Sequence, residues 1–183
     1  MSELIASLIL TVALIVFSWR SLQVAGSHGF YRFFAWEAIG LLIIVNFKDW
    51  FRNPLAWNQL IAWTLLVMAI PPLILGVRSL ATRGKPAEQR EGEPQLLAFE
   101  KTTQLITTGI YHYIRHPLYS SLLFLNWGAF FKAPSLLGVC LASVATAFLF
   151  ATARADEMEC IAFFGDEYRE YIKTTKRFVP FLF

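Results

Sequence analysis

The chain has 183 residues, 56% of them hydrophobic and 16% aromatic, with a formal net charge of +3. A soluble domain of this size has too little interior to hide so much apolar surface, so composition excludes that class. The charge is too small and too unevenly placed to imply nucleic acid, the two cysteines give no disulfide framework, and no Cys/His cluster has metal-ligand spacing. The remaining class is a single polytopic α-helical membrane domain over residues 1–183.

Leu4 to Trp19 is an apolar run about one bilayer thick once its small flanking residues are counted. Acidic Glu3 stands in front of it, where a cleavable signal carries basic residues, and no small-x-small cleavage site follows. Arg20 closes the run, and Ser21 to Arg32, with Gly26 and Gly29, is expected to be a connection. Phe33 to Phe47 is a second run, interrupted by Glu37. That carboxylate reads as a polar contact between helices or a group at headgroup depth, with a catalytic acid as the alternative. Leu55 to Val77 is the third run, which Pro71 and Pro72 are expected to kink near its end.

Residues 1–77 therefore hold three spans. Arg78 to Lys101, with Gly84, Pro86, Gly92 and Pro94 among mixed charges, reads as a solvated loop. Leu96, Leu97, Leu105 and Ile106 are expected to bring the chain back to the interface, and the loop region as a whole is 78–117. Leu118 to Phe131 is a fourth run, Lys132-Ala133-Pro134 a tight turn and Ser135 to Ala153 a fifth run, so 118–153 forms an antiparallel helical hairpin. The predicted fold is all-α: about five transmembrane helices, then C-terminal helices in 154–183 on the cytoplasmic side. With five spans, all lysines and arginines except Lys48, Arg52 and Lys132 share one face, which puts the N-terminus outside and the C-terminus in the cytoplasm. The lack of targeting signals and the compact loops point to a bacterial inner membrane.

Two segments beside the hairpin carry chemistry. The first, Gly109 to Tyr119, gathers two of the three histidines and three of the six tyrosines. Pro117 suits the first turn of the following helix, and the residue before a proline avoids helical geometry, so His116 is expected to be extended at the helix mouth. Free N–H groups there suit an anionic ligand group. An interfacial Tyr/Arg/His anchor is the equal alternative. The second segment is Arg154 to Tyr171. Glu157, Ile161 and Phe164 share a helical face, Gly165 suits a helix stop, and Asp166-Glu167 suit the first turn of another helix. An amphipathic helix lying on the bilayer is the alternative, but an acidic cluster is a poor choice beside anionic lipid. Carboxylates, aromatic rings, a histidine and a helix N-terminus together accommodate a ligand bearing a cation, a carboxylate and a flat heterocycle, which S-adenosylmethionine combines. No glycine-rich loop follows a strand, which excludes a Rossmann-type enzyme.

Thr107-Thr108-Gly109-Ile110-Tyr111-His112-Tyr113-Ile114-Arg115-His116-Pro117-Leu118-Tyr119 resembles the TSG-x-Y-x-x-x-RHP-x-Y stretch of the isoprenylcysteine carboxyl methyltransferase family. Asp156-Glu157, followed by Phe164-Gly165-Asp166-Glu167-Tyr168 and Tyr171, resembles that family's EE…FG-x-EY…Y tail. The wider superfamily includes phospholipid N-methyltransferases, and the likeness spans Thr103 to Pro180.

The resemblance implies an integral-membrane enzyme that binds S-adenosyl-L-methionine between the hairpin, the loop before it and the C-terminal helices. By that likeness Tyr111, Arg115, His116, Pro117, Leu118 and Tyr119 line the cofactor pocket, with Thr103, Gln104, Leu105 and Ile106 beside it. Asp156 and Glu157 hold the cofactor's polar groups, Arg154 faces the acceptor, and Glu157 or His116 serves as proton acceptor where one is needed. Asp156 replaces the family's first Glu, and Ser121 stands where a Gly is common. The expected methyl acceptor is lipidic or small and apolar, reaching the site from the bilayer, with no metal involved. A membrane NADPH-dependent reductase of sterol-reductase type and a non-enzymatic membrane binding or assembly protein are the alternatives.

Overall fold

The computed structural model describes residues 1–84 and 102–180. Its helices are α1 (Ser2–Leu22), α2 (His28–Asn46), α3 (Trp57–Arg83), α4 (Pro117–Lys132), α5 (Leu136–Phe164) and α6 (Asp166–Thr174). Short 3-10 turns occupy Phe47–Asp49 and Gly109–His112. Among the described residues four helices are long and apolar enough to cross a membrane: α1, α2 with the turn after it, α3 and α5. With 16 residues, α4 rises only about 24 Å. It packs mainly against α3 and joins α5 through Ala133–Ser135, so the expected hairpin is present with one short arm.

Three boundaries differ from the sequence expectations. The connection expected over Ser21–Arg32 shrinks to residues 23–27. α2 begins at His28, where the Ser27 hydroxyl accepts the Phe30 N–H at 3.1 Å. Arg32 belongs to the helix and lies 4.9 Å from the Trp36 ring. α3 runs through Pro71 and Pro72 to Arg83, so residues 78–83, expected in a loop, are helical. α5 continues past Ala153 to Phe164 without a break, so the first part of the acidic tail extends the fifth run and is not a separate surface helix. A change in polarity marks where a helix changes surroundings, not where its backbone bonding stops. The expectation for Leu96 and Leu97 lies outside the described residues.

Small residues set the helix spacing. Ala35, Ala38 and Ile39 of α2 are buried with Ala145, Leu149 and Ala153 of α5, letting the two backbones approach closely. At Gly128 of α4 a Cβ would sit 2.9 Å from Leu66 of α3, and at Gly76 of α3 one would sit 3.1 Å from Leu118. The second contact seats the first turn of α4 against α3. Across α1 and α2 the Thr11 hydroxyl donates to Glu37 at 2.5 Å, so Glu37 makes the polar helix contact. At the end of the bundle away from the motifs, buried Lys132 places Nζ 3.3 Å from the Trp63 ring centre and 2.9 Å from Gln59 Oε1.

Candidate functional site

The Gly109–Tyr119 stretch is fixed by the C-terminal segment. Gly109 takes a positive φ of 68° to start the 3-10 turn. Ile114 then pairs with Lys176 in a parallel bridge. The Arg115 N–H donates to Lys176 O at 2.8 Å and the His116 N–H to Arg177 O at 3.1 Å. His116 is non-helical, with φ −123° and ψ 63°, and Pro117 opens α4. The Ser120 hydroxyl donates to Phe178 O at 2.7 Å, and the buried Tyr171 hydroxyl donates to Tyr111 O at 2.5 Å. The two motif blocks are thus joined through backbone groups as well as side chains.

A buried charge cluster ties α4 to α5. Glu157 accepts from Arg115 Nε at 2.8 Å and from Arg177 at 3.1 and 2.6 Å. His116 Nε2 lies 3.2 Å from Glu157 Oε1, and Nδ1 lies 3.4 Å from Asp156 Oδ2. Burial alone would push the His116 pKa down, but hydrogen bonds to Asp156 and Glu157 outweigh it and raise the pKa. The His116 ring stacks on Tyr119 at 5.3 Å, and the Tyr119 hydroxyl donates to Asp156 at 3.2 Å.

Beside this cluster lies a cavity of about 800 Å³, its open mouth included. It collects Gln104, Leu105, Ile106, Tyr111, Arg115, His116, Pro117, Leu118, Tyr119 and Asp156. These come from both motif blocks. Three of the residues singled out in the sequence stand elsewhere. The Thr103 N–H donates to Gly84 O at 3.1 Å, tying the loop to the end of α3. Glu157 faces the arginines behind the wall. Arg154 lines a second opening, with Tyr31, Phe150, Met158 and Arg177.

The rest of the cavity wall was not among the candidate site residues: Leu80, Thr102, Glu159 and Cys160, and Phe164, Tyr168 and Tyr171 of the second motif block. A signal existed for the two tyrosines, which are three apart and so share one face of α6. Burial pushes both phenols above their ordinary pKa, so they stay protonated donors. Phe164, Tyr168 and Tyr171 form a run of rings at 6.5 and 5.7 Å centroid spacing. A carboxylate, several ring faces and an enclosed apolar floor can hold a cationic, partly aromatic ligand. Among the described residues no group of three or more His, Cys, Asp or Glu could hold a metal ion.

Residues 95–167 match the phospholipid methyltransferase family model. Over 72 residues the chain is 33% identical to methanethiol S-methyltransferase 1 of Bradyrhizobium diazoefficiens; the aligned part is 39% of this chain and 24% of that protein. No solved structure matches. The matched family model and the matched protein are both described as methyltransferases, in line with the resemblance read from the two motif blocks.

Proposed function

We propose that this protein is an integral-membrane methyltransferase that takes its methyl group from S-adenosylmethionine and passes it to a lipidic or small apolar acceptor. The observation that supports this reading best is a cavity of about 800 Å³ walled by both motif blocks. The matched family, which covers both blocks except the last tyrosines, agrees with it.

In this reading Asp156 accepts from the cofactor's amino group or ribose hydroxyls. Tyr111, Tyr119 and the α6 tyrosines present ring faces to the sulfonium and adenine. The N-terminus of α4, behind Pro117, receives the carboxylate. Bound S-adenosylmethionine supplies an electrophilic methyl group. The residues of the chain align the acceptor with it and exclude water, which an in-line displacement needs more than acid–base help. Glu157, with Arg115 and Arg177, holds His116 and Asp156 in place from behind the wall. Arg154, in the second opening, stands where an acceptor would arrive.

A thiol acceptor agrees with the name of the matched Bradyrhizobium protein, and an amine on a lipid agrees with the matched family. The distribution of basic residues favours a cytoplasmic site, and in this reading the membrane is a bacterial inner membrane. The test is transfer of labelled methyl groups from S-adenosylmethionine into a total lipid and small-molecule extract by detergent-purified protein. Label in one extractable product, absent with Asp156→Ala, is the expected result. No label with a folded sample contradicts the reading.

A further inference from the structure

Glu159 is the one residue, among those described, that lines both the cavity and the second opening. Its position is fixed by His28. The His28 backbone N–H donates to Glu159 Oε1 at 2.8 Å, and His28 Nδ1 lies 2.7 Å from Oε2. His28 is completely buried, while the Glu159 side chain keeps 24% of its exposure. His28 thus holds both oxygens of a carboxylate that borders both cavities.

The neighbouring carboxylates are placed differently. Glu157 is turned away to two arginines and His116. Asp156 takes the Tyr119 hydroxyl and faces His116. Two residues along a helix turn through about 200°, so Glu159 projects from nearly the opposite side of α5 to Glu157.

Resting on the methyltransferase reading above, we propose that Glu159, aimed by His28, is the proton acceptor of the reaction, and that the methyl acceptor is therefore a nucleophile that carries a proton, a thiol or an amine, and not a carboxylate. The balance is simple. The bond from the cofactor's sulfur to the methyl group breaks, and its electron pair stays on that sulfur as a neutral thioether. The acceptor's sulfur or nitrogen forms the new bond to the methyl group. The proton it carried passes to the Glu159–His28 pair. From there it leaves through the second opening, which Glu159 also lines.

A purely structural Glu159, stapling the start of α2 to α5, is the competing account, since a carboxylate also suits a helix N-terminus. Glu159→Gln separates the two, because the amide oxygen still accepts the His28 N–H. The probes are an alkanethiol, an acidic aryl thiol that is already ionised at neutral pH, a primary amine and an apolar carboxylate. The variant should bind S-adenosylhomocysteine as the wild type does. It should lose about 100-fold or more in kcat with the alkanethiol or the amine, and less than about threefold with the aryl thiolate. Equal loss on all acceptors, or no loss on any, overturns the proposal. So does a wild type that binds S-adenosylhomocysteine but methylates only the carboxylate, or none of the panel; the methyltransferase reading survives those outcomes. Failure of the wild type to bind S-adenosylhomocysteine overturns both.

Discussion

Arg115 Nε lies 2.8 Å from Glu157 Oε1, and both side chains are buried. The guanidinium also donates to the backbone carbonyls of Ile172, at 3.3 Å, and of Thr175. One arginine therefore locks α4's entrance, α5 and the end of α6 into a single unit. Carboxylate and guanidinium are thus tied into the structure that frames the cavity.

Replacing Glu157 by Gln leaves Arg115 and Arg177 without their counter-charge, and His116 with Asp156 alone. Breaking a buried pair from one side costs about 3 kcal/mol. Thermal unfolding in detergent should show a lower midpoint for Glu157→Gln, and cofactor-product binding should weaken with it. An unchanged midpoint would mean that the cluster is not holding the two blocks together.

His116 gives the fold a pH dependence of definite sign. Its folded pKa is raised above the unfolded value of about 6.5. The stabilisation is therefore complete below about pH 6.5 and is lost as pH rises through the folded pKa. The unfolding midpoint of the wild type should fall across that alkaline window more than that of His116→Gln. Parallel curves for the two proteins would remove His116 as the titrating group.

Most of the fold was legible in the chain because apolar runs and turn residues are local signals. The two motif blocks were legible too, as were the stop at Gly165 and the second helix after it, which the structure places at Asp166–Thr174. What was not legible depends on partners far away in sequence. Glu159 is one of several acidic residues on α5, and nothing nearby reveals that His28, 131 positions earlier, will clamp it. Ser21 to Arg32 reads as a connection because its polar residues hide that α2 has already begun at His28. The choice between Glu157 and Glu159 needs the rotation of α5 against its neighbours, which only the packing against α2 and α4 supplies.

Gly165 holds a φ of +64° between α5 and α6, and a Cβ there would meet nothing within 4 Å. The whole penalty of Gly165→Ala is conformational, about 1 kcal/mol. Gly165→Asn should lose about as much, because a ψ of −133° puts the residue outside the left-handed helical region that Asn tolerates. Denaturant or thermal melts of the two variants check this; equal stability of both with the wild type contradicts it.

Tyr171→Phe removes the hydroxyl donor to the buried Tyr111 carbonyl. The cost is about 1–2 kcal/mol. Because Tyr111 lines the cavity, S-adenosylhomocysteine affinity should drop more than the melting temperature alone suggests. Affinity equal to the wild type would show that the 3-10 turn is held without this bond.

The central claim is that the two motif blocks close over one cofactor. Calorimetric titration of detergent-purified protein with S-adenosylhomocysteine tests it most directly, with Asp156→Ala and Tyr168→Ala as companions. One saturable site in the wild type, weakened by each substitution, is the predicted result; a folded wild type that releases no binding heat and protects no fluorescence change contradicts the account.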